Sequence, residues 1–256
     1  MTENLDLAGL AAWADARVPG ALFWTVSGAH LYGFPSADSD VDLRGCFLAP
    51  LRDVVGLKSP TETCEPKGDF RGREVEAVAH EVGKYLRLLL RHNGYVLEQV
   101  FSPLVAAGGE FLSALRPLAA RCVTRNCYHH YRGFLRTQRK FLDDRPTVKA
   151  LLYAYRVVLT GIHLLETGEV VAHLPTLNDR FRLPFIPDLI AEKTAAEVRE
   201  VRGWDPATHR GHLDRLEGEL GHAYAGSKLP ETGPTEELNR FLVALRLGRS
   251  GEPVTS

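Results

Sequence analysis

The pattern of polar and apolar residues concentrates its strand signals before about residue 105, and helical spacing dominates after it. Residues 21–26 form an apolar, β-branched and aromatic run that ends at Ser27-Gly28, which predicts a buried strand followed by a turn. Residues 41–48 predict a second strand. Residues 73–80 predict a third, half-buried strand, because Val75, Ala77 and Ala79 recur at every second position.

Helical spacing appears at residues 81–92 and dominates from residue 111 onward. Further helices are predicted over 147–166, 188–202, 206–223 and 234–247, the last entered by Gly-Pro and followed by Gly248. The pattern therefore predicts an α/β (α+β) core over residues 1–110, an all-helical C-terminal domain over 111–248, and a flexible polar tail over 249–256.

Two closely spaced carboxylates follow the first strand and its turn. Gly28 allows a sharp turn that presents backbone N–H groups to an anion. Period 2 in the second strand places Asp40 and Asp42 on one face, where two carboxylates repel unless a cation lies between them. Oxygen ligands of this kind suit Mg²⁺ or Mn²⁺. The alternative is a solvated Asp-Ser-Asp turn.

The same segment resembles the DNA polymerase β superfamily of nucleotidyltransferases. Its pattern is similar to the branch called RNA-ligase-associated nucleotidyltransferases, whose motif is Gly-x-x-x-Tyr-Gly, then Pro, then Ser-Asp-x-Asp-x-Arg-Gly. The matching residues are Gly28, Tyr32-Gly33, Pro35, Ser39-Asp40, Asp42 and Arg44-Gly45. The family's serine after the first glycine is Ala29 here, followed by His30. The resemblance extends over roughly residues 21–170.

The resemblance implies a mixed sheet and transfer of a nucleoside monophosphate from an NTP to a hydroxyl, with release of pyrophosphate. It implies Mg²⁺ or Mn²⁺ bound by Asp40, Asp42 and a third carboxylate on a neighbouring strand. Spacing to the next helix in the family points to Glu76, although Glu74 shares that face. An exposed glutamate on a wet strand face is the alternative. Glu98 is expected to be a buried structural acid that holds a loop or Arg44.

A nucleotide-binding set follows from the same resemblance and from helix geometry. Lys149, Tyr153 and Arg156 share one helix stripe, where the two cations are expected to contact nucleotide phosphates. Tyr153 is expected either to stack on a base or to pack in the core. The complete predicted set is Ser27, Gly28, Ala29, His30, Ser39, Lys149, Tyr153 and Arg156.

A run of arginines between residues 116 and 156 makes this part of the chain cationic. Arg125, Arg132, Arg136 and Arg139 fall on one helix face and are candidate RNA contacts. A solvated helix face is the alternative.

Composition sets limits on the remaining possibilities. The 256 residues carry a net charge of −1, so the overall charge does not indicate a nucleic-acid-binding protein. Four cysteines without paired spacing favour reduced cytosolic thiols. The N-terminal residues do not have the pattern of a signal peptide, and no apolar run approaches the roughly 18–20 residues that cross a bilayer. A cytoplasmic location without membrane contact is therefore expected.

Several functions remain open at this point. The favoured one is a nucleotidyltransferase that acts on an RNA or tRNA end, with RNA-processing enzymes as expected partners. The alternatives are nucleotidylation of a protein or small molecule, a non-catalytic nucleotide- or RNA-binding module, and a purely structural protein.

Overall fold

The structure is a computed structural model that describes residues 5–195 and 206–248. Within those residues a mixed sheet is followed by a helical region. The strands are β1 (Ala21–Val26), β2 (Val41–Phe47), β3 (Thr63–Cys64), β4 (Lys67–Phe70), β5 (Arg73–Glu81) and β6 (Val105–Ala107). The helices are α1 (Leu7–Asp15), α2 (Gly28–Tyr32), α3 (Leu51–Val55), α4 (Val82–Leu90), α5 (Gly94–Val100), α6 (Gly109–Ala120), α7 (Cys127–Asp144), α8 (Val148–Thr167), α9 (Leu174–Phe181), α10 (Ile186–Thr194), α11 (Pro206–Gly226) and α12 (Thr235–Arg246).

Strand order in the sheet is β3-β5-β2-β1-β6, and β4 also pairs with β5. The central pair, β2 and β5, is parallel, while β1 is antiparallel to both β2 and β6. The parallel register sets Asp42 opposite Glu76 and Arg44 opposite Val78. The mixed sheet and the helical region that follows it confirm the predicted fold class.

The two faces of the sheet have different environments. Alternate residues of the central strands, such as Leu43 and Ala77, are buried against α1 in one hydrophobic cluster. Their neighbours Asp42, Arg44 and Glu76 are only partly buried, and they lie on the opposite face because successive side chains of a strand alternate. The sheet therefore has one dry face and one face that is available for polar chemistry.

The second hydrophobic cluster joins the strand-bearing part to the helical part. It contains Phe23 and Tyr85 together with Leu112, Tyr131 and many residues of α8. Helix α8 packs against α7, α9, α10 and α11. The predicted division at residue 110 thus falls inside one continuous core.

Helix α8 is the one span, among the described residues, that is long and apolar enough by length and composition to cross a membrane. An 18-residue window of this helix has a mean hydropathy of 1.4, so the expectation that no such run exists was wrong. In the structure 78% of that window is buried inside the protein. A helix that forms the centre of a folded core has the same composition.

The predicted strands at 21–26, 41–48 and 73–80 correspond to β1, β2 and β5 within one residue at each end. The two-to-four-residue strands β3, β4 and β6 and the helices α1, α3, α5 and α9 were not predicted. The helix expected over 188–202 is represented by α10 up to Thr194, and residues 196–205 and the tail at 249–256 lie outside the described residues.

One buried ion pair links α8 to α5. Arg156 is fully buried, and its Nη1 donates to Glu98 Oε1 at 2.6 Å. The hydroxyls of Tyr32 and Tyr131 each lie 3.4 Å from a Glu98 oxygen, and the guanidinium lies 3.9 Å from the centre of the Tyr32 ring. Burial raises the pKa of Glu98, while the charge of Arg156 opposes that shift. The expectation that Glu98 is a structural acid agrees with this geometry, but its partner is Arg156 rather than Arg44.

Removing one member of this pair should be much worse than removing both. Arg156→Met leaves the Glu98 carboxylate buried without its cation, so we expect a loss of about 3–5 kcal/mol in the free energy of unfolding. Glu98→Leu combined with Arg156→Met should recover part of that loss, because neither charge is then buried alone. Urea unfolding of the two single variants and the double variant measures this coupling. Additive losses in the double variant would contradict it.

Candidate active site

The turn after β1 brings backbone close to Asp42. Ser27 is extended, and Gly28 follows with φ of +62°, a conformation that favours glycine. The Ser27 amide donates to the Asp42 carbonyl at 2.8 Å. A Cβ at position 28 would lie 2.0 Å from Asp42 Oδ2, so only glycine permits this approach. The glycine in the motif is therefore explained by both its backbone conformation and its distance to a carboxylate.

Asp42 and Glu76 face each other across β2 and β5. Arg44 links these two positions, because its Nη2 donates to Asp42 Oδ1 at 2.7 Å and its Nη1 donates to the Glu76 carbonyl at 3.2 Å. Lys67 of β4 forms an ion pair with the Glu76 carboxylate. Of the two glutamates left open by the sequence, Glu76 is the one in register with Asp42, while Glu74 is exposed nearer the start of β5.

Asp40 lies one residue before β2 and is exposed. The loop that leads to it is held by a hydroxyl pair, because Ser36 Oγ and Ser39 Oγ are 2.9 Å apart and Ser39 Oγ also accepts from the Ser36 amide at 3.0 Å. Lys193 of α10 donates to Ser36 Oγ at 2.9 Å, and this lysine is only 1% exposed. The helical region thus positions the loop that carries Asp40. Lys193 was not predicted, since a single lysine in a polar helical stretch has no distinguishing sequence signal.

A cavity of about 390 Å³ opens beside Asp42. Its walls come from the turn, from the polar face of the sheet, from α5 and from α8. The lining residues are Ser27, Gly28, Tyr32, Asp42, Arg44, Val78, His80, Asn93, Tyr95, Val96, Gln99 and Tyr153. The sequence pointed to Ser27, Gly28, Asp42 and Tyr153, whereas the α5 side chains were not recognised because that helix was not predicted.

The other predicted nucleotide-binding residues do not line this cavity. Ala29 is buried in α2, and His30 lines a separate cavity of about 470 Å³ that includes Glu98 and His173. Ser39 is buried in the loop before Asp40, and Lys149 is exposed near the start of α8.

The structure corrects the role expected for Arg156. This side chain is fully buried and forms an ion pair with Glu98. Burial by itself lowers the pKa of Arg156, but Glu98 together with Tyr32, Tyr131 and Tyr153 more than offsets this and raises it. Arg156 therefore holds α8 against α5 in this structure instead of facing a phosphate.

The arginine stripe is also different from the free cationic face that the sequence indicated. Arg132, Arg136 and Arg139 each form an ion pair with Glu217 of α11, at 3.1, 3.6 and 3.2 Å. Arg125 donates to the Tyr224 carbonyl at 3.2 Å and lies over the Tyr224 ring. These four side chains contact α11, which belongs to the same helical region. The contacted residues lie 75 or more positions away along the chain, so no local pattern could show them.

Burial shapes the protonation of the cavity walls. Burial lowers the pKa of His80, and the charge of Lys84 lowers it further. Burial also raises the pKa of Tyr32 to about 12. His80 thus favours the neutral imidazole, whose Nδ1 lies 3.1 Å from Thr63 Oγ1, and Tyr32 remains a neutral phenol.

Within residues 5–195 and 206–248, no three His, Cys, Asp or Glu side chains are gathered closely enough to hold a metal ion. The donor chemistry of Asp42 and Glu76 nevertheless suits a hard divalent cation, because both supply carboxylate oxygens on the same face of the sheet. In this structure Arg44 and Lys67 neutralise those two carboxylates. A cation that binds here competes with both side chains.

Comparisons with known proteins agree with the sequence motif. A family described as "RNA repair pathway DNA polymerase beta family" matches residues 4–244. The uncharacterized protein MJ0002 of Methanocaldococcus jannaschii is 32% identical over 153 residues, which cover 58% of this chain and 61% of that protein. The chain thus matches less than two thirds of that relative's length.

A solved structure is similar over most of the chain at low identity. The nucleotidyltransferase-like protein from Exiguobacterium sibiricum 255-15 is 12% identical, and the match covers 96% of this chain and 80% of that chain with a TM-score of 0.32. With a TM-score this low, the match does not indicate the function of this chain.

Glycine at position 28 should be required for a reason beyond its backbone angle. Gly28→Ala and Gly72→Ala both place a Cβ at positive φ, which costs about 1–2 kcal/mol. Only the Cβ at position 28 meets Asp42, whereas nothing lies within 4 Å of a Cβ at position 72. We expect Gly28→Ala to lower the unfolding free energy by more than Gly72→Ala in urea titrations. Equal losses would show that the turn relaxes away from Asp42 without cost.

Lys193 should stabilise the loop before Asp40 from a distance. Lys193→Met removes a buried hydrogen-bond donor to Ser36, so we expect a loss of about 1–3 kcal/mol in unfolding free energy. Lys140→Met, at an exposed position of α7, is the matched control and should change stability little. Amide hydrogen exchange should also accelerate in residues 36–40 of the Lys193 variant. Unchanged hydrogen-exchange protection in residues 36–40 would show that Lys193 does not stabilise the loop.

Proposed function

Because this chain belongs to the RNA repair pathway DNA polymerase beta family, we propose that it is a metal-dependent nucleotidyltransferase that transfers a nucleoside monophosphate from an NTP to a hydroxyl group of an RNA or tRNA end. The observation that carries the proposal is the pairing of Asp42 with Glu76 across β2 and β5, beside a cavity closed on one side by Ser27 and Gly28. Family membership supports RNA as the acceptor class, since the family's description places it in RNA repair.

In the proposed reaction the acceptor oxygen attacks the α-phosphorus of the NTP. A new P–O bond forms, the bond between the α-phosphorus and the bridging oxygen breaks, and pyrophosphate leaves with the electron pair. The proton of the acceptor hydroxyl passes to the Glu76 carboxylate and then to solvent. Glu76 is thus proposed to accept a proton as well as to bind the metal ion.

Asp40, Asp42 and Glu76 are the residues that would hold Mg²⁺ or Mn²⁺. The ion, when bound, would offset negative charge on the triphosphate and on the attacking oxygen. Asp42 is held in place by Arg44 and by the approach of Gly28, so its position is already organised. Asp40 is exposed, and the Ser36–Ser39–Lys193 contacts hold the loop that carries it.

Substrate contacts are proposed for the residues that line the cavity. Ser27 and Gly28 are assigned to the triphosphate, and Tyr153 is assigned to the nucleoside. Tyr153 is positioned by edge contacts with Tyr32 and Phe34, at ring distances of 5.4 and 5.6 Å. Lys149 remains a proposed phosphate contact, while Arg156 is not assigned one, because it is buried against Glu98.

Loss of the Asp42 carboxylate should greatly slow transfer without unfolding the protein. With an α-labelled NTP, Mg²⁺ or Mn²⁺ and RNA, we expect label to enter RNA with the wild-type protein. Asp42→Asn should lower that rate about 100-fold or more, because metal-held charge stabilisation is worth several kcal/mol. Asp53→Asn, an exposed aspartate of α3, is the matched control and should retain the wild-type rate.

The remaining outcomes separate the alternatives. Label that enters protein or small molecules in a cell extract, and not RNA, would indicate a different acceptor class. Wild-type turnover in Asp42→Asn would overturn the proposed site. NTP binding without pyrophosphate release in any fraction would identify a non-catalytic nucleotide-binding member of the family.

A further inference from the structure

One side chain that lines the cavity beside Asp42 carries a buried oxygen without a hydrogen-bond partner among the described residues. Gln99 of α5 is only 7% exposed, and its Oε1 is buried with no hydrogen-bond partner among the described residues. A buried amide oxygen without a partner costs free energy. A ligand in the cavity that supplies the missing partner would recover that cost, once the Gln99 side chain turns its buried oxygen toward the ligand.

Several other polar groups of the cavity already have partners within the protein. Asp42 accepts from Arg44, and Arg44 also donates to the carbonyls of Leu43 and Glu76. The Nδ1 atom of His80 is bonded to Thr63. Asn93 Oδ1 caps α5 by accepting from the amides of Tyr95 and Val96 at 3.0 and 3.3 Å. These groups help to build the walls, whereas the Gln99 Oε1 atom has no partner among the described residues.

Aromatic rings stand in the same cavity. Tyr95 packs against His130 and Phe134, and Tyr153 packs against Tyr32 and Phe34, so each ring is braced by its neighbours. Braced rings lose little conformational freedom when a flat ligand stacks on them. The cavity volume of about 390 Å³ lies in the usual range for small-molecule sites, roughly 300–1,000 Å³.

We propose that Gln99 recognises the edge of a nucleobase that enters this cavity beside Tyr95 and Tyr153, and so determines which base the protein selects. An amide offers a donor and an acceptor side by side and can form a bidentate pair with a base edge. Aromatic rings with amide groups are the usual means of reading an unpaired base. This inference rests on the proposed function, and the base can belong to the incoming NTP or to the terminal nucleotide of the acceptor.

Two variants change the recognition chemistry in different ways. Gln99→Met keeps the length of the side chain and removes both hydrogen-bonding groups, so selectivity among bases should collapse. Gln99→Glu replaces the donor with a second acceptor. Guanine is the base whose Watson–Crick edge offers two adjacent donors, N1–H and N2–H, so this variant should shift preference toward guanine. Gln138→Met, a glutamine of α7 that is 8% exposed and does not line the cavity, is the matched control.

The first arm of the experiment measures equilibrium binding of ATP, GTP, CTP and UTP to each full-length protein without RNA. The second arm holds one NTP constant and compares oligonucleotides that differ only in the terminal base. We expect wild-type protein and Gln138→Met to share a preference of about fivefold or more in one arm, as one good bidentate pair supplies. Gln99→Met should reduce that preference to about twofold or less in the same arm. If the preference falls in the first arm, the recognised base belongs to the NTP. If it falls in the second arm, the base belongs to the terminal nucleotide of the acceptor.

Preference retained in both Gln99 variants, in both arms, would overturn base recognition by Gln99. The same result would leave nucleotidyl transfer intact if label still enters RNA. Conversely, selective nucleotide binding that depends on Gln99, with no transfer by the wild-type protein, would overturn the proposed reaction and support the binding inference. Circular dichroism of Gln99→Met and Gln138→Met separates loss of selectivity from loss of folding.

Discussion

The buried ion pair between Arg156 and Glu98 is the interaction on which the rest of the structure depends. Two charges removed from water require close geometry and additional polar contacts, and the hydroxyls of Tyr32 and Tyr131 lie near the Glu98 carboxylate. This cluster joins α2, α5, α7 and α8. Tyr32 and three residues of α5, Tyr95, Val96 and Gln99, line the cavity beside Asp42, so the packing that stabilises the core also shapes the site.

A second constraint comes from the parallel pairing of β2 with β5. Register in a strand pair determines which side chains share a face, and a slip of one residue would move Glu76 to the dry side. Val75 and Ala77 hold the register because they are buried against the cluster that includes α1. The hydrophobic face therefore secures the position of carboxylates on the polar face.

The helical region does more than cover the sheet. Lys193 reaches from α10 to the loop before Asp40, and Tyr153 of α8 forms part of the cavity wall. Its arginines serve a different purpose from the one their pattern indicated. Glu217 of α11 binds three of them, so much of the cationic stripe is used to hold α7 against α11.

The sequence by itself determined the elements whose signals are local. The alternation in β1, β2 and β5, the helical repeat after residue 111 and the motif around Gly28 and Asp42 are visible without long-range information. Short edge strands and α5 were missed because only a few residues define them.

Tertiary structure decided which charged residues face a substrate and which face the protein. Arg156 and the stripe that includes Arg132 have the composition of ligand-binding residues, yet their acidic partners lie 58 and 85 residues away in the chain. Gln99 was not recognised from the sequence, because its place in the cavity wall depends on how α5 packs against the sheet. The physical reason is that helical and strand periodicity define a face, whereas the partner of that face depends on long-range packing.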